Sequence, residues 1–272
     1  MSRRTSLDLS ELWRASPAGE AGDQAHEVDD AVDDSSWASV PVPGHWRSSA
    51  SFADHDGPLT YRRHFTSELL HPSAGERSFL VVEGAMAAAD VWLDGTYLGD
   101  TSGYVVPQSF EVTELLRARS EHVLAMEVSC DPVGTGRTND LTGALGRSAL
   151  LGAGHNPGGI WRPVSVHTTG PVRIRHCRLR CPRAAAETAT LAVRVGLDSD
   201  EPRPVGLRTW VTPVPADESA PGGASGDLGQ SEALIESAVA VVERDHPLAG
   251  GENRIEFTVP IHDPRLWWPR AL

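Results

Sequence analysis

"DVWLDGTYLGD", residues 90–100, carries the architecture in one short run. Two β-type segments flank Asp94-Gly95, a dipeptide suited to a tight turn whose residues need positive φ. Outward from this hairpin the period stays at two. "HVLAMEVSC" (122–130) places Leu124, Met126, Val128 and Cys130 on one face. "TLAVRVGLDS" (190–199) places Leu191, Val193, Val195 and Leu197 on one face, with Arg194 and Asp198 opposite. "NRIEFTVPIHD" (253–263) does the same with Ile255, Phe257, Val259 and Ile261. "SFLVVEG" (78–84) is apolar on both faces and reads as a central strand covered on both sides. The single helical scrap is "EVTELL" (111–116), with Thr113 as its expected cap. Long amphipathic helices are missing, so the chain reads as all-β, built from sandwiches or barrels.

A boundary is visible at Gly170-Pro171. Beyond it "VRIRHCRLRC" (172–181) changes phase: Val172 and Ile174 share one face, then Cys177, Leu179 and Cys181 fall on the other. A flip inside one extended run implies a bulge, or a strand leaving one sheet for another. It is read here as the crossing into a second domain. "PADESAPGGASGDLGQSE" (215–232) reads as a floppy hairpin loop and "HEVDDAVDDSSW" (26–37) as a solvated one.

Composition excludes several functions. At 272 residues the chain suits two domains, and 40% hydrophobic with 22% charged residues is too apolar for disorder. No apolar run reaches membrane-spanning length and the first residues lack the apolar core of a secretory signal, so the expected location is cytoplasmic. With 24 basic against 37 acidic residues, a net charge of −13 argues against nucleic acid or an anionic membrane as partner. The basic residues are all arginine; without lysine, a GxxxxGK[ST] phosphate loop is excluded. "GTGRTNDLTGALG" lacks the strand-to-helix context of a dinucleotide fingerprint. The three cysteines, Cys130, Cys177 and Cys181, are too few and odd for a disulfide framework. On a strand Cys177 and Cys181 would stand about 13 Å apart, too far for a disulfide or a shared zinc. The histidines look scattered, without a metal pair or a triad-like context. Neither cofactor nor metal is expected.

Six stretches stand out as a set, namely "VPVPGHW", "GPLTYRRHF", "DVWLDGTYLGD", "SFEVTELL", "NPGGIWRPVSV" and the closing "LWWP". In this order, over residues 8 to 269, they resemble the N-terminal region of glycoside hydrolase family 2, which includes β-galactosidases, β-glucuronidases and β-mannosidases. The resemblance implies a jelly-roll, galactose-binding-like domain over 1–171 and an immunoglobulin-like sandwich over 172–263. Residues 264–272 would begin a linker to a TIM barrel that carries two catalytic glutamates. A TIM barrel takes about 250 residues, and none are left over for one. Retaining glycosidases need two carboxylates about 5 Å apart, and the acidic residues here show no such pairing in sequence. None of Asn139, Asn156 and Asn253 precedes a glutamate, whereas in the family the acid/base glutamate follows an asparagine. The chain is therefore expected to lack catalytic residues and to be inactive alone. Leu266, Trp267 and Trp268 would form its seam with the barrel, since two indoles beside a proline belong against a second body.

By position, two loops match those that reach the substrate in some relatives. "SFADHDGP" offers Asp54, His55 and Asp56, and "GAGHNPGG" offers His155 and Asn156; both also read as ordinary polar turns. Where some relatives carry an aspartate before their GGIWR-like stretch, this chain has Ala153-Gly154-His155. In "GPLTYRRHF", Arg63 shares a strand face with Leu59, Tyr61 and Phe65. It needs a carboxylate, for which Asp54 and Asp56 are candidates, or a path to solvent. Gly158 and Gly159 would permit a strained entry to the strand that follows. Trp161 reads as packing or as a sugar-stacking platform. The partners implied are a β-glycoside, through the parent enzyme, and a C-terminal TIM barrel. The competing readings are a freestanding carbohydrate-binding module and an interaction protein that kept the fold and lost the chemistry.

Overall fold

The computed structural model describes residues 5–19, 28–68, 70–130, 156–213 and 238–266, and they fall into two compact units divided between Gly170 and Pro171. Both are built from antiparallel sheets.

The first unit contains β1 (Thr5–Asp8), β2 (Glu11–Pro17), β3 (Ala38–Val42), β4 (Leu59–Thr66), β5 (Arg77–Val82), β6 (Ala88–Leu93), β7 (Thr96–Ser102), β8 (Gln108–Glu111), the short helix α1 (Thr113–Ala118), β9 (Glu121–Ser129) and β10 (Val164–Thr169). One sheet runs β1-β10-β5-β8 and the other β3-β2-β4-β9-β6-β7. Leu80, Val82, Val164 and Val166 of the first sheet share one core with Trp13, Leu59, Tyr61, Val91, Leu93, Leu124, Met126 and Val128 of the second. This makes a two-layer sandwich. The β6–β7 turn has Asp94 at φ 55° and Gly95 at φ 73°, the two positive values that the dipeptide implied. "SFLVVEG" is indeed an interior strand, paired on both edges.

Three expectations need correction here. Thr113 does not cap α1; it is the first helical residue, and its hydroxyl accepts from Ser78 N (3.0 Å) and donates to Glu111 Oε1 (3.0 Å). Arg63 finds neither Asp54 nor Asp56; it donates to Leu12 O (2.8 Å) and Glu11 Oε2 (3.3 Å). The acidic 26–37 stretch is more than a solvated loop. Its described part, from Val28, straps the outer face of the six-stranded sheet, with Val28 and Asp34 buried.

The second unit contains β11 (Val172–Ala184), β12 (Thr188–Ser199), β13 (Arg203–Val211), β14 (Ala240–Leu248) and β15 (Gly251–His262). One sheet runs β11-β12-β15 and a two-stranded sheet pairs β13 with β14. Val193, Val195, Leu197, Ile255, Phe257 and Val259 form the core, with Val205, Leu207, Val211 and Val242 packed against it. The phase flip of "VRIRHCRLRC" is a bulge between Ile174 and His176, and β11 stays paired to β12 on both sides of it. The bulge returns Ile174, Cys177 and Leu179 to one face, opposite Leu197, Val195 and Val193. The 215–232 stretch lies outside the described residues.

Candidate functional site

Two loops of the first unit hold the sequence-nominated polar residues, and backbone hydrogen bonds join them. Gly44 N donates to Ile160 O (2.7 Å), Trp46 N to Gly158 O (2.9 Å), and Met86 N to Gly159 O (2.9 Å). The glycine pair is a packing requirement. Trp46, buried, lies directly on Gly158, and a Cβ there would fall inside the indole ring. Gly159 sits at φ 139°, where a Cβ would stand 2.6 Å from Gly44 O.

Within this frame His55 is half-buried, edge-on to Trp46 (5.7 Å between centroids) and Phe52 (5.8 Å), with Nε2 3.2 Å from Pro58 O. Arg47 donates from Nε to His55 O (3.0 Å), and its guanidinium pairs with the exposed Asp56. Asn156 is fully buried. Its amide donates to Cys130 O (3.0 Å) and Asp56 Oδ1 (3.2 Å), and its Oδ1 accepts from Gly158 N (3.0 Å). The structure therefore brings Asp56 and Asn156 together across a separation of 100 residues. Asp54 is exposed at the rim. His155 lies outside the described residues. The groups left facing outward, Asp54 and the solvent side of the Arg47–Asp56 pair, are hydrogen-bonding groups suited to hydroxyls.

Trp161 is 40% exposed, with Nε1 donating to Tyr104 O (2.9 Å) and the Arg162 guanidinium 5.5 Å over its ring. Of the closing stretch, Leu266 is half-buried, and Trp267 and Trp268 lie outside the described residues.

Two polar clusters escaped the sequence reading. Arg62, 0% exposed, donates from Nε to Asp34 Oδ2 (2.9 Å) and from NH1 to Asp29 O (2.8 Å). The same Asp34 oxygen meets His64 Nε2 at 2.8 Å. Burial pushes the Asp34 carboxyl up, but the hydrogen bonds from His64 and Arg62 outweigh it and hold the group below its ordinary value. The second cluster overturns the expectation that no histidine has a triad-like context. His122 has Nδ1 2.8 Å from Asp94 Oδ2 and Nε2 3.0 Å from Ser67 Oγ. Asp94 also accepts from Val123 N (2.9 Å) and pairs with Arg119 (3.0 Å). Its burial is again outweighed, with His122 foremost, so this carboxyl too lies low. The line has the order of a serine nucleophile, base and acid, but Ser67 is 0% exposed. A nucleophile must touch its substrate, so the cluster serves to tie the β6–β7 turn to β9.

Most carboxylates with described partners are engaged by arginine, histidine or backbone N–H, and a few by a hydroxyl or the Asn156 amide. Asp90 of β6 and Asp100 of the edge strand β7 face each other, and Asp90 accepts from Tyr97 (2.7 Å). Among the described residues no three His, Cys, Asp or Glu side chains gather into a metal-binding group. No helix among them is long and apolar enough to cross a membrane.

The most informative comparison is with a solved β-glucuronidase from glycoside hydrolase family 2. It superposes on 98% of this chain at a TM-score of 0.70 and 19% identity, over 28% of its own length. The chain has the N-terminal fold of the family 2 glycoside hydrolases. In sequence, a β-glucuronidase of Formosa agariphila is 25% identical over 190 residues, which is 64% of this chain and 18% of that protein. A β-galactosidase of Vibrio cholerae is 29% identical over 117 residues, 36% of this chain and 11% of that one. No family model matches. This family 2 fold thus spans less than a fifth of the curated relatives it matches.

Proposed function

We propose that this chain is the non-catalytic N-terminal region of a family 2 glycosidase, whose parent reaction is hydrolysis of β-glycosides. The observation that carries the reading is the asymmetry of length. Nearly all of this chain matches a β-glucuronidase structure, while most of that protein has no counterpart here. The carboxylates support it: Asp34, Asp56, Asp94 and Glu111 are engaged by structural partners, and Asp90, which faces Asp100 across β6 and β7, is held by Tyr97. The first unit would brace a C-terminal barrel, with Leu266, Trp267 and Trp268 in the seam. Asp54, His55, Asp56, His155 and Asn156 would form a rim beside the substrate, with Asn156 positioning Asp56 from below. A cytoplasmic setting belongs to the proposal, supported by the free thiols of Cys177 and Cys181 on the surface.

The test compares two proteins on 4-nitrophenyl β-glucuronide and β-galactoside: the 272-residue chain, and the product of the reading frame continued past Leu272. The shorter should leave both intact and the longer should cleave one. Turnover by the shorter chain that vanishes on substituting one of its own residues would refute the proposal. The half-exposed Trp161 favours a second reading, a freestanding carbohydrate-binding module. That reading requires saturable quenching of indole fluorescence by a sugar, absent in Trp161→Ala.

A further inference from the structure

Strand β11 carries five arginines, a histidine and no carboxylate, in a chain whose acidic residues outnumber its basic ones by 37 to 24. Alternation decides where these charges go. Val193, Val195 and Leu197 of β12 lie in the core, so Ala192, Arg194 and Gly196 between them line the outer face of the three-stranded sheet. Cross-strand partners share a face. Arg178 and Arg180 of β11 therefore join Arg194 and Ala192 there, and Glu256 and Thr258 of β15 complete the two rows.

These rows border a cleft of about 380 Å³, walled by Arg178, Arg180 and Arg194, with Ala192 as a small floor and Thr258 and Glu256 along the far side. Its charge is unbalanced. Arg178 stands directly opposite Arg194, and like charges in that position repel. Glu256 is the one carboxylate among the described lining residues, and it is already shared: Arg254 and Arg194 both donate to its Oε1. Those hydrogen bonds, Arg254 first, hold its carboxyl below the ordinary value. The side chains of Arg178 and Arg180 have no ion pair or hydrogen bond among the described residues. The row toward the start of β11 is neutral by contrast, with Arg173 donating to Asp198 (3.1 Å) and Arg175 paired with Glu252. Arg183 stands on the same face beyond the cleft. The positive excess thus gathers around the cleft.

A guanidinium fork grips planar oxyanions through paired N–H bonds. Alternate residues on a strand stand ~7 Å apart and cross-strand partners ~5 Å, so three guanidiniums at this spacing can hold two oxyanion groups of one ligand. The volume lies near the lower bound of small-molecule pockets, roughly 300 Å³, and the net charge of −13 repels long polyanions. We propose that this cleft is a binding site for a small anion carrying two or more phosphate or carboxylate groups, held by Arg178, Arg180 and Arg194. The proposed glycosidase function uses none of these residues, so the two readings stand or fall separately.

The experiment is calorimetric titration of pyrophosphate and of citrate into the 272-residue chain at constant ionic strength, with chloride as the blank. At least one of the two anions should bind saturably at a single site. Arg178→Gln and Arg180→Gln should each weaken that binding by roughly 10-fold or more. Arg208→Gln removes the same charge from a pair with Glu243 in the other sheet and should leave binding unchanged. Pyrophosphate alone assigns the site to phosphates, citrate alone to carboxylates, and both together to their shared oxyanion chemistry. Arg178→Gln should also melt no lower than the original chain, because it relieves the repulsion with Arg194. Heat equal to the chloride blank for both anions overturns the inference. So does binding that survives Arg178→Gln and Arg180→Gln, or that Arg208→Gln weakens equally, which would make it an effect of bulk charge. Binding confined to a single-stranded oligonucleotide would replace the cleft by an extended polyanion surface. A lower melting temperature for Arg178→Gln would make Arg178 a brace of the sheet, and either result overturns the inference too.

Discussion

Asp34→Ala would remove the carboxylate that pairs, among the described residues, with a fully buried guanidinium. Arg62 is 0% exposed and the Asp34 side chain 10%. Breaking a buried pair by deleting one partner costs about 3–5 kcal/mol, because the remaining charge is stranded. Arg62 keeps the carbonyls of Asp29 and Val32, which favours the lower end of that range. For a unit of this size each kcal/mol is worth about 2–4 °C, so the first unit should melt roughly 6–15 °C lower. Calorimetry is the assay. Glu11→Ala is the internal standard. It breaks the pair with Arg63, but the Glu11 side chain is 78% exposed, so its cost should stay under about 1 kcal/mol. Asp34→Ala combined with Arg62→Met should recover much of the loss, because no charge is then stranded. The pH dependence has a definite sign. Asp34 titrates below its unfolded value, so its contribution is present above the ordinary carboxylate range and fades as pH falls through the lowered folded value. The variant should lose that part of its acid slope. A loss below ~1 kcal/mol, or an unchanged acid slope, would refute the argument that the strap is held by this charge pair.

Gly158→Ala drives a methyl into the Trp46 ring and should cost about 1–3 kcal/mol or prevent folding of the first unit, read by its melting transition. Asn156→Ala leaves Gly158 N and Cys130 O without their partner and should cost about 1–3 kcal/mol, measured by urea unfolding. Ser67→Ala tests the buried serine–histidine–aspartate line. Stability should fall by about 1 kcal/mol, while a fluorophosphonate probe labels neither the variant nor the original chain. Labelling that depends on Ser67 would make the serine reachable and reverse the structural reading. Gly95→Ala places a side chain at φ 73° and should cost about 1–2 kcal/mol, seen as a lower melting temperature.

The features legible in the letters alone were local and periodic. Alternation along 122–130, 190–199 and 253–263 marked the strands, because a strand sends successive side chains to opposite faces whatever its neighbours are. Asp94-Gly95 announced its turn, since only certain residues tolerate two consecutive positive φ values. The glycines at 158 and 159 signalled a strained entry to the next strand, but not that the indole of Trp46 lies on Gly158. Pairing between distant segments was invisible. Arg62 and Asp34 are 28 residues apart, Ser67 and His122 are 55, and Asp56 and Asn156 are 100. Nothing in any one of these stretches names its partner. Arg62 and Arg63 are adjacent arginines on opposite faces of β4, and alternation nominated the wrong one for burial. The outer face of that strand is covered by a strap from elsewhere in the chain, which period two does not record. The bulge in β11 shows the same division. The letters showed a change of phase, but only the register with β12 revealed that Ile174, Cys177 and Leu179 share one face. Burial and charge pairing depend on which segments meet in space, and that meeting exists only once the chain has folded.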